Sequence, residues 1–205
     1  MNIKRLHYIS GLIISIFIAL HLFNHAYSIS GAEAHIRLMN SLRPLYRNIF
    51  SESILLIAVA VQIVSGLKLF NASRKTASTG FEKLHVWTGF YMAVFLVIHL
   101  SAVFVGRLLL HLDTNFYFGV AGLNTFPLNL FFIPYYALAI ISFFGHIAAV
   151  HHKKIRSDLL GLSPSGQALI ILGCGIVLTV FIFYGLTDHF KGVEIPADYD
   201  VLTGK

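Results

Sequence analysis

The chain has 205 residues, of which 57% are hydrophobic and only 12% carry a charge, and its mean hydropathy is +0.76. A soluble domain carries about 25% charged residues. Here the charges fall in short segments between long apolar runs, so most of the surface must face lipid. The composition therefore excludes an ordinary soluble domain.

The net charge of +6 is better explained by a membrane protein than by a protein that binds nucleic acid. Once the apolar runs lie in a bilayer, no basic face remains for a nucleic acid, and Lys and Arg are typical of cytoplasmic loops. Cys174 is the only cysteine and lies within an apolar run. The sequence therefore excludes an internal disulfide, a thiolate zinc cluster and the covalent attachment of a c-type haem.

Five apolar runs are long enough to cross a bilayer. In chain order they cover about 8–29, 53–70, 86–110, 128–150 and 168–186, close to the 20 or so residues that a spanning helix needs. Because the connections are short, consecutive helices are predicted to be antiparallel neighbours in one bundle. We therefore predict an all-α integral membrane bundle of five transmembrane helices, with residues 1–205 as a single domain.

The distribution of Lys and Arg predicts the orientation. The N-terminus and the second and fourth connections are basic, whereas the third connection has neither Lys nor Arg. Arg37, Arg43 and Arg47 in the first connection oppose this trend. On balance the positive-inside rule predicts a cytoplasmic N-terminus, in a multi-pass protein of the inner (cytoplasmic) membrane.

An internal repeat places matching polar groups in the first and third helices. The first copy consists of Leu6, His7, Gly11, Phe17, His21 and Leu22, and the second of Leu84, His85, Gly89, Phe95, His99 and Leu100. All six positions recur at a constant offset of 78 residues. Matches of Leu or Phe are common in apolar helices, whereas two histidines and a glycine in register indicate a shared role.

The spacing of the histidines has a geometric consequence. Fourteen residues of helix rise about 21 Å and leave two side chains about 40° apart, so each copy presents one shallow and one deep histidine on a single stripe. The first and third helices run in the same direction. His21 and His99 are therefore predicted to lie at matching depth, as are His7 and His85. Two neutral imidazoles at equal depth on facing helices suit the axial positions of a haem b.

The alternative to a ligand role for these histidines is a structural role. A histidine in a membrane helix can simply hydrogen-bond a neighbouring helix. Buried ionisable groups in lipid are nevertheless costly and usually functional, which favours ligation by the matched pair His21 and His99. His7 and His85 lie nearer the polar boundary, where contact with a haem propionate or a quinone is an alternative to ligation.

These residues resemble the cytochrome b membrane anchor of succinate dehydrogenase and fumarate reductase, in its single-polypeptide, five-helix form. The resemblance is carried by the order and spacing of short motifs: Arg5-Leu6-His7, Gly11, Phe17, His21-Leu22, Gly31-Ala32-Glu33-Ala34, Ser41-Leu42, Gly66 and His146. It covers the first four helices, and extends to the fifth by hydropathy alone.

The resemblance implies two haems b stacked across the membrane. His21 and His99 match the ligands of the haem nearer the outside. The inner haem of the family takes one histidine from the second helix and one from the fourth, and His146 fits the fourth-helix position. The second-helix position is Gln62, whose amide oxygen is a poor partner for haem iron compared with an imidazole nitrogen.

This departure leaves the inner haem open. It is absent, or it is five-coordinate on His146, or it recruits His7 or His85 instead. Gln62 is also a candidate to hydrogen-bond His146 or a quinone head group. One haem is therefore expected, and a second is undecided.

The function implied by the resemblance is electron transfer between an iron–sulfur protein and a membrane quinone. A flavoprotein and an iron–sulfur subunit would dock on the cytoplasmic face, and this chain would hold no dicarboxylate site itself. Anchors of this form often use menaquinone, which is the expected quinone. The alternatives are a free-standing membrane cytochrome b with two haems on the first and third helices, and a haem-free anchor or transporter.

Four residues outside these motifs carry weaker signals. Glu52 opens the second helix, where it is a candidate proton relay to a quinone, although a negative charge at a helix N-terminus is favourable in itself. His35, His111 and His189 lie outside the apolar runs, and we expect them to be hydrated.

Overall fold

The computed structural model describes residues 2–204, and this range contains helices and no β-strand. Five helices are long and apolar enough to cross a membrane: α1 (Ile3–Ala26), α3 (Ile49–Ser73), α4 (Gly80–Phe104), α6 (Asn129–Lys154) and α7 (Pro164–Leu186). The prediction of an all-α protein with five transmembrane helices is therefore confirmed. The chain has the architecture of a multi-pass membrane protein.

Most of these helices begin at a polar capping residue that lies several residues before the apolar run. The side chains of Asn2, Asn48 and Ser163 each accept a hydrogen bond from the first turn of α1, α3 and α7. Thr79 and Glu82 form a reciprocal capping box at the start of α4. These caps supply partners for N–H groups that the helix itself leaves unpaired.

Each long helix packs against the next one along the chain, and α7 also packs against α1, which closes the ring. The expected neighbour order is therefore correct. Within this ring α1 and α4 are separated by α3, and α3 and α6 are separated by α4. We call the end where α1 begins the inner end and the end where α1 finishes the outer end.

Glycines in α7 allow its close packing. A side chain at Gly175 would overlap Phe144 of α6. A Cβ at Gly185 would lie 2.7 Å from the backbone nitrogen of Ile29 and would overlap Ser28, in the turn that ends α1. Small residues of this kind let helix backbones approach closely in membranes.

The outer end carries a cap of shorter elements. Helix α2 (Ala32–Tyr46), helix α5 (Phe116–Val120) and a 3-10 turn (Ala197–Leu202) form this cap. Buried side chains of α5 pack against Ile182 and Leu186 at the end of α7. The hydroxyl of Tyr199 donates to the carbonyl of Asp113 over 3.0 Å, so the C-terminal segment is part of the cap.

Candidate functional site

His21 of α1 and His99 of α4 face each other across the bundle, with ring centroids 6.2 Å apart. Each imidazole is stacked on the phenylalanine one turn earlier in its own helix. Phe17 lies 5.5 Å from His21, and Phe95 lies 5.1 Å from His99, between ring centroids. The structure therefore brings together the pair that the repeat predicts at matching depth, and both copies have the same local geometry.

This separation fits two axial ligands of one metal ion. A bond from an imidazole nitrogen to a metal is about 2 Å long, so two imidazoles on opposite sides of one metal have ring centroids about 6 Å apart. The nitrogen Nε2 of His21 lies 3.1 Å from Nε2 of His25, and metal binding would replace this hydrogen bond. Within residues 2–204 no three His, Cys, Asp or Glu side chains are grouped to hold a metal ion, so a porphyrin would have to supply the other ligands.

Further imidazoles extend this pair toward the outer end. We call His21, His25, His35, His99 and Asn24 the outer histidine cluster. The rings of His25 and His35 are 5.4 Å apart, and the amide of Asn24 lies 3.1 Å from Nε2 of His35. Among the described residues, Asn24 Oδ1 and the Nδ1 atoms of His25 and His35 are buried without a hydrogen-bond partner. Since buried polar atoms are nearly always paired, this cluster has unused capacity for a polar ligand or water.

His35 corrects one expectation from the sequence. It was expected to be hydrated, yet it is only 2% exposed, because α2 folds back over the end of α1 and presses the ring against Phe116. Burial lowers the pKa of His35 from 6.5 to about 4, since the charged imidazolium would lose its hydration. His111 is exposed as expected.

The inner end holds a second set of polar groups. His7 lies between two side chains of α3: its Nδ1 is 2.9 Å from the hydroxyl of Ser65, and its Nε2 is 3.3 Å from the amide nitrogen of Gln62. The hydroxyl of Ser10 lies 2.6 Å from Oε1 of Gln62. Gln62 therefore bonds to α1, and the hypothesis that it pairs with His146 is wrong.

The inner end holds further polar groups between the neighbouring helices α4 and α6. Nδ1 of His146 lies 3.2 Å from the carbonyl oxygen of His85 and 3.4 Å from the hydroxyl of Thr88. The rings of His85 and His146 are 4.4 Å apart. We call His7, Gln62, His85 and His146 the inner layer. Its members contact one another in two pairs, α1 with α3 and α4 with α6.

The candidate proton relay Glu52 has a partner that the sequence analysis missed. Arg107, in a π-helical turn that continues α4, donates to the carboxylate of Glu52 in the first turn of α3. An arginine lying inside an apolar run is a signal that could have identified this pair.

Sequence reasoning also missed Asn24 and His25. His25 follows His21 by four residues, which places both on one helix face, so helical spacing was the available signal. Ser10 and Thr88 are also separated by the repeat offset of 78 residues, and the sequence analysis missed this pair as well.

The fold and the site define a multi-pass membrane protein with two layers of inward-facing histidines. No protein-family description, curated protein or solved structure matches this chain.

Proposed function

We propose that this chain is the haem b-bearing, quinone-reactive membrane anchor of a complex II-like enzyme in the inner (cytoplasmic) membrane. The observation that carries the proposal is the pair His21 and His99, whose rings lie 6.2 Å apart on the non-adjacent helices α1 and α4 in matching copies of one repeat. A bound haem b supplies reversible one-electron transfer. His21 and His99 would hold the haem through imidazole nitrogens, and Phe17 and Phe95 keep the two rings in orientation.

Quinone binding is supported by the unpaired atoms of the outer histidine cluster. A quinone carbonyl accepts a hydrogen bond from an imidazole N–H, and a quinol hydroxyl donates to an amide oxygen. His35 and Asn24 offer these two groups side by side. His25 lies between them and His21, so a head group bound here is close to the haem ligand. The resemblance makes menaquinone the expected quinone.

Docking of partner subunits is supported by the charge of the inner end. Its exposed basic residues are Lys4, Arg5, Lys68, Arg74, Lys75, Lys83, Lys153, Lys154 and Arg156. Its acidic residues are Glu82, which is engaged in the helix cap, and Asp158. We propose that the iron–sulfur subunit, with its flavoprotein, docks here through an acidic face.

The haem is tested by purifying the chain from cells supplied with ample haem and recording its absorption spectrum. His21→Ala and His99→Ala should each abolish the b-type spectrum, because either substitution removes an axial nitrogen. His111→Asn removes an exposed imidazole and serves as the matched control. A haem-free wild-type chain would overturn the proposal and leave a haem-free anchor or transporter.

The partners are tested by purification from native membranes under mild detergent. Recovery of a flavin-containing and an iron–sulfur subunit supports the proposal. Their consistent absence from a haem-bearing preparation would favour the free-standing cytochrome. That alternative uses His7 and His85 as ligands of a second haem, and both nitrogens of His7 already have partners in α3.

A further inference from the structure

Gln62 lies at the position in the inner layer where an imidazole would be needed to bind a second haem together with His146. We propose that Gln62 limits this chain to one haem, held by His21 and His99, and that the inner layer binds no haem. The inference rests on the proposed function, because it concerns how many haems the anchor carries.

The helix pairs α1–α3 and α4–α6 share one contact, in which a polar side chain of the second helix lies against a repeat glycine of the first. Gln62 lies against Gly11, with its amide nitrogen 3.4 Å from where a Cβ on that glycine would be. His146 lies against Gly89, with its Cε1 atom 3.2 Å from the corresponding point. Because Gly11 and Gly89 are equivalent positions of the repeat, Gln62 and His146 fill equivalent places.

The surroundings of the two side chains are equivalent too. Ser10 lies beside Gln62, and Thr88, at the matching position of the repeat, lies beside His146. Both hydroxyls also lie within hydrogen-bonding distance of the carbonyl four residues earlier in their own helix. The amide of Gln62 on α3 therefore occupies the place that corresponds to the imidazole of His146 on α6.

Gln62 is occupied by hydrogen bonds within the protein. Its amide donates to Nε2 of His7, so the proton of His7 is on Nδ1 and is donated to Ser65. The hydroxyl of Ser65 in turn lies 2.6 Å from the carbonyl of Val61 and donates to it. The oxygen of Gln62 accepts from Ser10. Both ring nitrogens of His7 are engaged in this network, so His7 retains no free lone pair for iron, and an amide nitrogen such as that of Gln62 offers none.

His146 alone does not complete a haem site. Its Nδ1 donates to the carbonyl of His85, which leaves the lone pair on Nε2. The nearest imidazole, that of His85, has its ring centroid 4.4 Å away. Two axial imidazoles need about 6 Å between ring centroids, so this pair does not fit around one iron.

The test measures haem per chain by pyridine haemochrome absorbance against amino-acid analysis. The wild-type chain should bind one haem, and His146→Ala should keep it. Gln62→His should raise the ratio to two and add a second set of low-spin electron paramagnetic resonance signals. The double substitution Gln62→His with His146→Ala should return the ratio to one. Gln62→Leu breaks the same hydrogen bonds without adding an imidazole and should stay at one.

The negative results of this test distinguish a failure of the one-haem inference from a failure of the proposed function. Two haems in the wild-type chain, with one lost in His146→Ala, would overturn this inference and leave the proposed function standing. A ratio of one in folded Gln62→His would also overturn it, because Gln62 would not then be what limits the number. A wild-type chain without any haem would instead contradict the proposed function.

Discussion

Arg107 and Glu52 form an ion pair that joins α4 to α3 at the outer end, with 2.5 Å between Nη1 and Oε1. The two side chains are 22% and 25% exposed, whereas the pair Arg37–Glu33 on α2 is 71% and 88% exposed. Burial decides the value of such pairs, because water screens exposed charges and a desolvated charge that loses its partner is costly.

Glu52→Gln should therefore destabilise the protein by about 1–3 kcal/mol, because it leaves the guanidinium of Arg107 partly buried without its counter-charge. The measurement is the thermal unfolding midpoint in detergent. Glu33→Gln is the matched control and should cost less than about 0.5 kcal/mol. Equal effects of the two substitutions would contradict the assignment of a special role to the Arg107–Glu52 pair.

Gly185→Ala should destabilise the bundle by about 1–3 kcal/mol or more, because the added methyl group would overlap backbone atoms at Ile29 that cannot rotate away. Thermal unfolding in detergent again provides the measurement. Gly173→Ala, on the same helix, is the control, because no atom lies within 4 Å of the added carbon. If both substitutions are tolerated, α7 does not pack against the end of α1 as described.

Stability should fall as the pH is lowered from 6.5 toward 4, and His35 should account for part of the loss. The folded-state pKa of about 4 lies below the ordinary value of 6.5, so the unfolded chain binds the proton more tightly than the folded chain in this window. The stabilisation is thus complete above pH 6.5 and lost as His35 becomes protonated. Its upper limit is about 3 kcal/mol.

The measurement for His35 is the unfolding midpoint as a function of pH. His35→Gln, which cannot titrate, should show a shallower decline than the wild-type chain. His111→Asn removes an imidazole from an exposed position and should follow the wild-type curve. An unchanged slope in His35→Gln would show that this ring is hydrated in the folded protein.

The orientation predicted from Lys and Arg can be tested by cysteine labelling in a Cys174→Ser background. Arg37 on α2 at the outer end and Arg74 just after α3 at the inner end are both exposed. With the N-terminus in the cytoplasm, a membrane-impermeant maleimide should label Arg37→Cys in intact cells or spheroplasts. Arg74→Cys should react only after permeabilisation, and the reverse pattern would invert the topology.

The five spans and their neighbour order could be predicted from the sequence, because the cost of burying polar groups in lipid imposes long apolar runs, and short connections make consecutive helices neighbours. The pairing of His21 with His99 was also predictable. Helical geometry converts an offset in sequence into a depth, and the repeat gives both helices the same offset.

The short elements of the outer end were not predictable in the same way. Helix α2 has no long apolar run, so a hydropathy criterion passes over it and treats His35 as hydrated. The contacts that bury His35 of α2 come from α1 and from Phe116 of α5. No local pattern specifies that these segments meet.

The sequence by itself determined that the chain crosses the membrane five times and that two histidines meet in its interior, because both follow from periodicity and hydropathy along single helices. Only the tertiary structure decided which partners the inner polar groups have. Gln62 bonds to His7 and Ser10, and His146 bonds to the carbonyl of His85. These choices depend on the rotation of each helix about its axis, which is set by packing against neighbours distant in the sequence.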